Sequence, residues 1–236
     1  MQEDTMIKTI LFDLDDTLYD FGSAERTGRA AIQDYAERVI GVDGEAFMTC
    51  FVEMLRLQMR LHGDSAGSHS RAIRCQLICE KMGLPIRHAP ILNDLYWNTY
   101  IASIHPFPGI PEIFAKIHES GCKIGICTNM TADWQMKKLI QLGLIDQCDF
   151  IVSSEEADAE KPAPAIYNLC LEKAGCQASE CLFIGDNPVF DIQGALDAGM
   201  NALWLAQNPD KRAKYPDLPF VESVAELAAR LNACMN

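Results

Sequence analysis

No run of the 236-residue sequence stays apolar for the ~20 residues that a membrane-spanning helix needs, so no membrane association is expected. The N-terminus, MQEDTM, lacks the basic-then-apolar layout of a secretory leader, and a reducing cytoplasm is the expected location. Basic residues are scarce. Twenty Lys and Arg stand against 33 Asp and Glu, for a net charge of −13. A field of that sign repels polyphosphate backbones, which argues against nucleic acid as a partner. Cysteine is present, ten in all, but no Cys-x-x-Cys pair occurs; the nearest spacings are Cys75 to Cys79 and Cys122 to Cys127. Cys127, Cys170 and Cys181 lie inside apolar runs, where a thiol behaves as a small hydrophobe, so reduced cysteines are expected rather than a disulfide framework. His88, His105 and His118 show no ligand spacing with one another or with cysteine, and no zinc site is expected.

What is present is a globular composition, with 49% apolar and 22% charged residues. The length fits one large domain, or one domain carrying a smaller insertion. Residues 7–12, IKTILF, read as a buried strand that ends in the acidic cluster DLDDT. From about Phe21 to Ile104 the rhythm is helical, as in Phe47, Phe51, Met54, Leu55 and Ile73, Leu77, Ile78, Met82. The polar stretch 62–70, HGDSAGSHS, breaks it as a turn. After Pro106 and Pro108, strands at 122–128, 149–153, 180–185 and 201–206 alternate with helices at about 132–142, 165–174 and 189–198. A terminal helix is expected from about Val224 to Ala233. Such alternation predicts an α/β fold, a doubly wound, Rossmann-like parallel sheet built from residues 1–20 and 105–236. The 21–104 segment is predicted to be an α-helical domain inserted after the first strand.

Four short segments each fall at a predicted strand end: Asp13-Leu14-Asp15-Asp16-Thr17, Thr128-Asn129, Lys161-Pro162 and the run from Gly185 to Asp191. In an open parallel sheet those ends converge on one crevice. Residue types in this order suit phosphoryl transfer, which needs an in-line nucleophile, cations on the phosphoryl oxygens and a proton donor for the departing oxygen. Asp13 is the candidate nucleophile. The carboxylates of Asp13 and Asp186 suit Mg²⁺, a hard cation, with Asp191 as a further ligand or as a support for the ligands. Lys161 supplies local positive charge that the acidic chain otherwise lacks. Thr128, with neighbouring backbone N–H groups, and Asn129 are candidate phosphate binders, and Asp15 is placed to act as general acid and then general base.

This ordered set resembles the haloacid dehalogenase-like superfamily, across nearly the whole chain: FDLDDTL for its first motif, Thr128 for the second, Lys161 for the third and GDNPVFDI for the fourth. The helical insertion directly after the first strand is similar to that family's helical cap class. The resemblance implies that Asp13 attacks phosphorus and Asp15 serves as acid/base. It also implies Mg²⁺ held by Asp13, the backbone carbonyl of Asp15, and Asp186. Dehalogenases of the family lack the second aspartate, so Asp15 favours phosphate-ester chemistry. The expected substrate is a small phosphorylated metabolite selected by the cap. The opening FDLDDTLYDF is similar to members acting on nucleoside monophosphates or sugar phosphates, with a slight lean to nucleotides.

Rival readings are a phosphosugar mutase that returns the phosphoryl group to a sugar, an aspartate-phosphorylated receiver domain, and a non-catalytic binding protein on the same fold. A receiver would be about half this length and would place its aspartate on a middle strand. Nothing in the sequence specifies an oligomeric state. Other conspicuous residues have plainer explanations. Asp16 and Thr17 are expected to shape the turn after the strand, and Gly185 to permit a tight turn. Ser154, Glu155 and Glu156 are expected to be a solvated acidic loop. His62, His69, Arg71 and Arg74 are expected on a solvated surface loop, and Arg26 and Arg29 as surface arginines. Tyr96, Trp97 and Tyr100 are expected to pack the core of the inserted domain.

Overall fold

Thr9–Phe12 forms β1, a strand whose four residues are all buried. In a parallel sheet covered on both faces this is what a continuous apolar run becomes. The structure, a computed structural model, describes residues 6–63 and 65–234; residues 1–5 and Asp64 of the polar 62–70 turn lie outside the described residues. The chain divides into two units, Met1–Asp20 with His105–Asn236, and Phe21–Ile104. After β1 it enters the second unit as α1 (Phe21–Tyr35), α2 (Gly44–His62), α3 (Arg71–Met82) and α4 (His88–Ser103).

The first unit resumes with α5 (Ile110–Glu119), β2 (Lys123–Thr128), α6 (Ala132–Gln141), β3 (Phe150–Ser153), α7 (Ser154–Ala157) and α8 (Pro164–Ala174). It continues through β4 (Cys181–Gly185), α9 (Gly194–Asp197), β5 (Asn201–Leu205), α10 (Pro209–Arg212), β6 (Phe220–Val221) and α11 (Val224–Cys234). The strands form one six-stranded sheet in the order β3-β2-β1-β4-β5-β6. Every pairing is parallel. Adjacent β1 residues face opposite sides. Leu11 joins Cys127, Phe183 and Trp204 in a core with Tyr167 and Cys170 of α8, whereas Phe12 stacks on Phe114 of α5, ring centroids 4.9 Å apart.

The first strand, Thr9–Phe12, is shorter than IKTILF, although Lys8 N–H still donates to the Glu180 carbonyl at 2.8 Å. The helix expected at 189–198 is divided. Asn187 Oδ1 accepts from the N–H groups of Val189 and Phe190, and a π-turn over Pro188–Gln193 precedes the short α9. α7, α10 and β6 were not anticipated; each is too short to carry a period. No helix among the described residues is long and apolar enough to cross a membrane. The cysteines described, from Cys50 to Cys181, are free thiols.

In the second unit Tyr96, Trp97 and Tyr100 are buried and mutually packed. The surface expectation fails for Arg71 and Arg74, which are 8% and 1% exposed. Arg71 donates to Glu25 Oε2 at 3.1 Å and to the Tyr96 hydroxyl at 3.2 Å. Arg74 Nε donates to Gln58 Oε1 at 3.0 Å. Arg29 also pairs with Glu25, at 2.8 Å. Burying a guanidinium is tolerable only with such partners. Glu25 lies some 46 residues from Arg71 in sequence, out of reach of helical periodicity. Burial by itself would raise the Glu25 carboxyl, but the Arg71 charge, the Tyr96 hydroxyl and Arg29 together bring it down to about 2.

Candidate active site at the carboxyl ends of the central strands

The register aligns Phe12 with Ile126 of β2 and with Ile184 of β4. Asp13, just past β1, therefore stands level with Cys127 and Gly185, and its N–H continues the ladder to the Ile184 carbonyl at 2.9 Å. Thr128 ends β2 and Asp186 follows β4, so the first, second and fourth sequence segments meet at one edge of the sheet.

Lys161 comes from the loop before α8 and is buried with its ammonium among carboxylates. Its Nζ lies 2.6 Å from Asp13 Oδ1, 2.6 Å from Asp191 Oδ1 and 3.0 Å from the Cys127 carbonyl. Burial opposes the charged lysine, but Asp13 and Asp191 outweigh it and hold the ammonium well above its ordinary value. Asp13, Asp186 and Asp191 bring carboxylate oxygens within 4.8 Å of one another. Burial pushes the Asp13 carboxyl up to about 7 against the pull of Lys161, with Asp191 and Asp15 adding repulsion. Burial, then the Asp13 charge, raises Asp186 to about 6, opposed by Lys211. Asp191 is raised by burial and restrained by Lys161. Such a trio of carboxylate oxygen donors, its proton affinity raised first by burial, suits a hard divalent cation.

The remaining expected residues fall into two groups. Thr128 is buried at the strand end and accepts from Gln135 Nε2 at 2.5 Å, which leaves its own proton to donate. Asn129 uses its side chain on the Lys161 loop: Oδ1 accepts from Lys161 N–H at 2.8 Å and Nδ2 donates to the Lys161 carbonyl at 3.3 Å. The Asp15 carboxylate lies outside the trio. It accepts from Lys138 Nζ at 2.7 and 3.0 Å and from the Tyr19 hydroxyl at 2.5 Å. Any share Asp15 takes in a cation site therefore comes through its backbone. Asp16 adopts φ 60° in the turn after β1, as expected, whereas the Thr17 hydroxyl donates to Asp13 Oδ2 at 3.3 Å and so touches the candidate nucleophile. Gly185 serves a different purpose from a tight turn. A Cβ there would sit 2.4 Å from the Asp191 carboxylate carbon. Glu155 accepts from Ala132 N–H at 2.8 Å and Ser154 Oγ from Met130 N–H at 2.9 Å, so the segment expected as a solvated acidic loop is the short helix α7, which braces the start of α6.

Lys138, Gln135 and Lys211 had not been singled out from the sequence. Gln135, Lys138 and Leu139 are the buried residues of α6, and two polar residues in that buried stripe were the available signal. Lys211 Nζ lies 3.1 Å from Asp186 Oδ2. It borders a cleft of about 320 Å³ whose lining includes Asp16, Asp186, Phe107, Trp204 and Gln207.

A family model described as haloacid dehalogenase-like hydrolase matches residues 7–199. Ribulose-1,5-bisphosphate 5-phosphatase of Halopiger xanaduensis is 34% identical over 201 residues, covering 84% of each chain. Glyceraldehyde 3-phosphate phosphatase of Pyrococcus abyssi is 30% identical over 202 residues, 84% of this chain and 81% of its own. Among solved structures, a HAD phosphatase from Thermococcus onnurineus superposes with a TM-score of 0.75 over 95% of this chain and 98% of its own, at 22% identity. The strand order, the four converging segments and the family match agree: the chain belongs to the haloacid dehalogenase-like hydrolase family.

Proposed function

We propose that this hydrolase is a magnesium-dependent phosphomonoesterase that passes the phosphoryl group of a small metabolite to water by way of Asp13. The observation that carries the reading is the buried Asp13, 2.6 Å from the Lys161 ammonium and grouped with Asp186 and Asp191. Asp13, Asp186 and the backbone carbonyl of Asp15 would hold the cation, with Asp191 either adding a ligand or keeping Lys161 in place. When bound, Mg²⁺ supplies positive charge that offsets repulsion between an anionic nucleophile and an anionic phosphate.

The chain's own groups account for the rest. An Asp13 carboxylate oxygen forms a bond to phosphorus as the ester P–O bond breaks. Asp15 gives its proton to the departing alkoxide, a contribution of roughly 10²–10⁴ in rate. A water then attacks the same phosphorus and gives a proton to Asp15, while the bond to Asp13 breaks and the aspartate is restored. Lys161 and the Thr128 hydroxyl bind phosphoryl oxygens, whose charge is spread in the transition state. Asp15 favours this chemistry over dehalogenation, since a leaving alkoxide needs a proton and a leaving halide does not.

Two relatives are named for phosphorylated sugars, which moves the preference from nucleotides to sugar phosphates. The helical unit is assigned the choice of leaving group. The test is phosphate release from a panel of sugar phosphates and nucleoside monophosphates, with and without Mg²⁺, for the wild type and Asp13→Asn. Mg²⁺-dependent release lost in the variant supports the reading. A folded, metal-supplied protein that releases nothing from any ester rules it out.

A further inference from the structure

We infer that Lys138 is the positioning residue for Asp15, holding its carboxylate in place together with the Tyr19 hydroxyl. The inference rests on the acid/base role proposed for Asp15. Lys138 projects from α6, and its side chain is 0% exposed. An ammonium that deep is retained only if a charge and hydrogen-bond acceptors meet it. Its carboxylate partner is Asp15, 123 residues earlier in the chain. The ammonium also lies 3.8 Å from Met130 Sδ and 5.8 Å from the Tyr19 ring centroid.

The contacts are not symmetric. Asp15 Oδ1 receives both the shorter lysine contact, 2.7 Å, and the Tyr19 hydroxyl at 2.5 Å, whereas Oδ2 receives the longer lysine contact at 3.0 Å. Tyr19 is 1% exposed, so both donors are fixed by packing. The Asp15 side chain is one-quarter exposed at 25%, anchored behind and open in front. One turn earlier on α6, Gln135 orients the Thr128 hydroxyl in the same manner. The helix thus reaches back under two strand ends and sets a side chain on each. An acid/base group gains from such fixing because small misplacements of a reacting group cost large factors in rate.

The measurement compares Lys138→Met, Lys138→Arg and Tyr19→Phe with the wild type and Asp15→Asn on an alkyl phosphate and on p-nitrophenyl phosphate. Lys138→Met is expected to lower kcat on the alkyl ester by roughly 10–100-fold, with KM and the Mg²⁺ concentration for half-activation within about 3-fold of wild type. Nitrophenolate needs no proton to leave, but the phosphoryl group on Asp13 still needs a base for its hydrolysis. Lys138→Met should therefore show a burst of nitrophenolate equal to the enzyme present, followed by slow turnover. Lys138→Arg should recover part of kcat, and Tyr19→Phe should show the same pattern more weakly. A folded Lys138→Met with wild-type kcat overturns the inference. So does an equal loss on both esters with no burst and no recovery by arginine. If Lys138→Met does not fold, Tyr19→Phe and Lys138→Arg decide it by the same burst. A wild type that releases no phosphate refutes the phosphatase reading instead, and is distinguishable because every variant is then equally silent.

Discussion

The Asp191 carboxylate fills the space beside Gly185 that any other residue's Cβ would occupy, its Cγ only 2.4 Å from that position. From there Asp191 accepts from Asn187 N–H at 2.8 Å through Oδ2 and from Lys161 at 2.6 Å through Oδ1. The glycine is thus part of how Lys161 is held against Asp13. Gly185→Ala is expected to lose about 1–3 kcal/mol of stability through overpacking and roughly 10²-fold in kcat through displacement of the buried lysine. Thermal unfolding and steady-state assays check both; an alanine variant matching wild type in each would sever Gly185 from the site.

Lys161 neutralises two buried carboxylates at once. Lys161→Met leaves Asp13 and Asp191 facing each other in a dry site, and the expected loss is about 3–5 kcal/mol. Urea unfolding at neutral pH measures it. The deficit should shrink as pH is lowered, since protonated carboxyls need no ammonium partner. A pH-independent deficit would contradict the ionic account.

The pH dependence of the metal-free protein has a definite sign. Asp13 is raised to about 7 and Asp186 to about 6, both first by burial. Their folded values lie above their unfolded ones, so their contribution to stability is complete below the unfolded carboxyl range and is lost as pH rises through about 6 to 7. In a chelator, Tm should fall across that interval. With Mg²⁺ present the fall should be smaller, and the cation's affinity should rise with pH, because proton and cation compete for the same oxygens. Calorimetric titration at pH 5.5 and 7.5 tests this; equal affinities would remove the trio from the cation site.

In the helical unit the sign reverses. Glu25 is brought to about 2 despite its burial, first by Arg71. Its stabilisation is complete above the ordinary glutamate range and is lost as pH falls toward about 2. Glu25→Gln leaves Arg71 buried beside a neutral partner, and an expected loss of about 3–5 kcal/mol follows. Differential scanning calorimetry at neutral pH measures it, and a change under about 1 kcal/mol would show that the Tyr96 hydroxyl and the His69 carbonyl, 3.0 Å from Arg71 Nη1, suffice for Arg71.

The chemistry was legible where it coincided with strand ends. IKTILF before DLDDT, CKIGICT ending at Thr128 and the Leu182–Gly185 run before Asp186 are local patterns, and a parallel sheet sends all three ends to one edge. Arg71 and Arg74 were misjudged because a charge after a polar turn looks exposed in one dimension; their burial depends on Glu25 and Gln58 arriving from other helices. Lys138 was overlooked because lysine on a helix is ordinarily solvated. The Asp15 carboxylate, 2.7 Å from its ammonium, offsets the cost of its burial.

Apolar periodicity and turn chemistry, both local, were sufficient to specify a parallel α/β core with a helical insertion, and residue types at the strand ends, with the four-motif family resemblance, nominated Asp13, Asp15, Thr128, Lys161 and Asp186. The grouping of those residues was not local. That Asp191 joins Asp13 and Asp186 while the Asp15 side chain turns to Lys138 depends on strand register and on helix α6 packing beneath the sheet's edge. Contacts between residues more than a hundred positions apart leave no period in the sequence, because what fixes them is the space remaining once the core has packed.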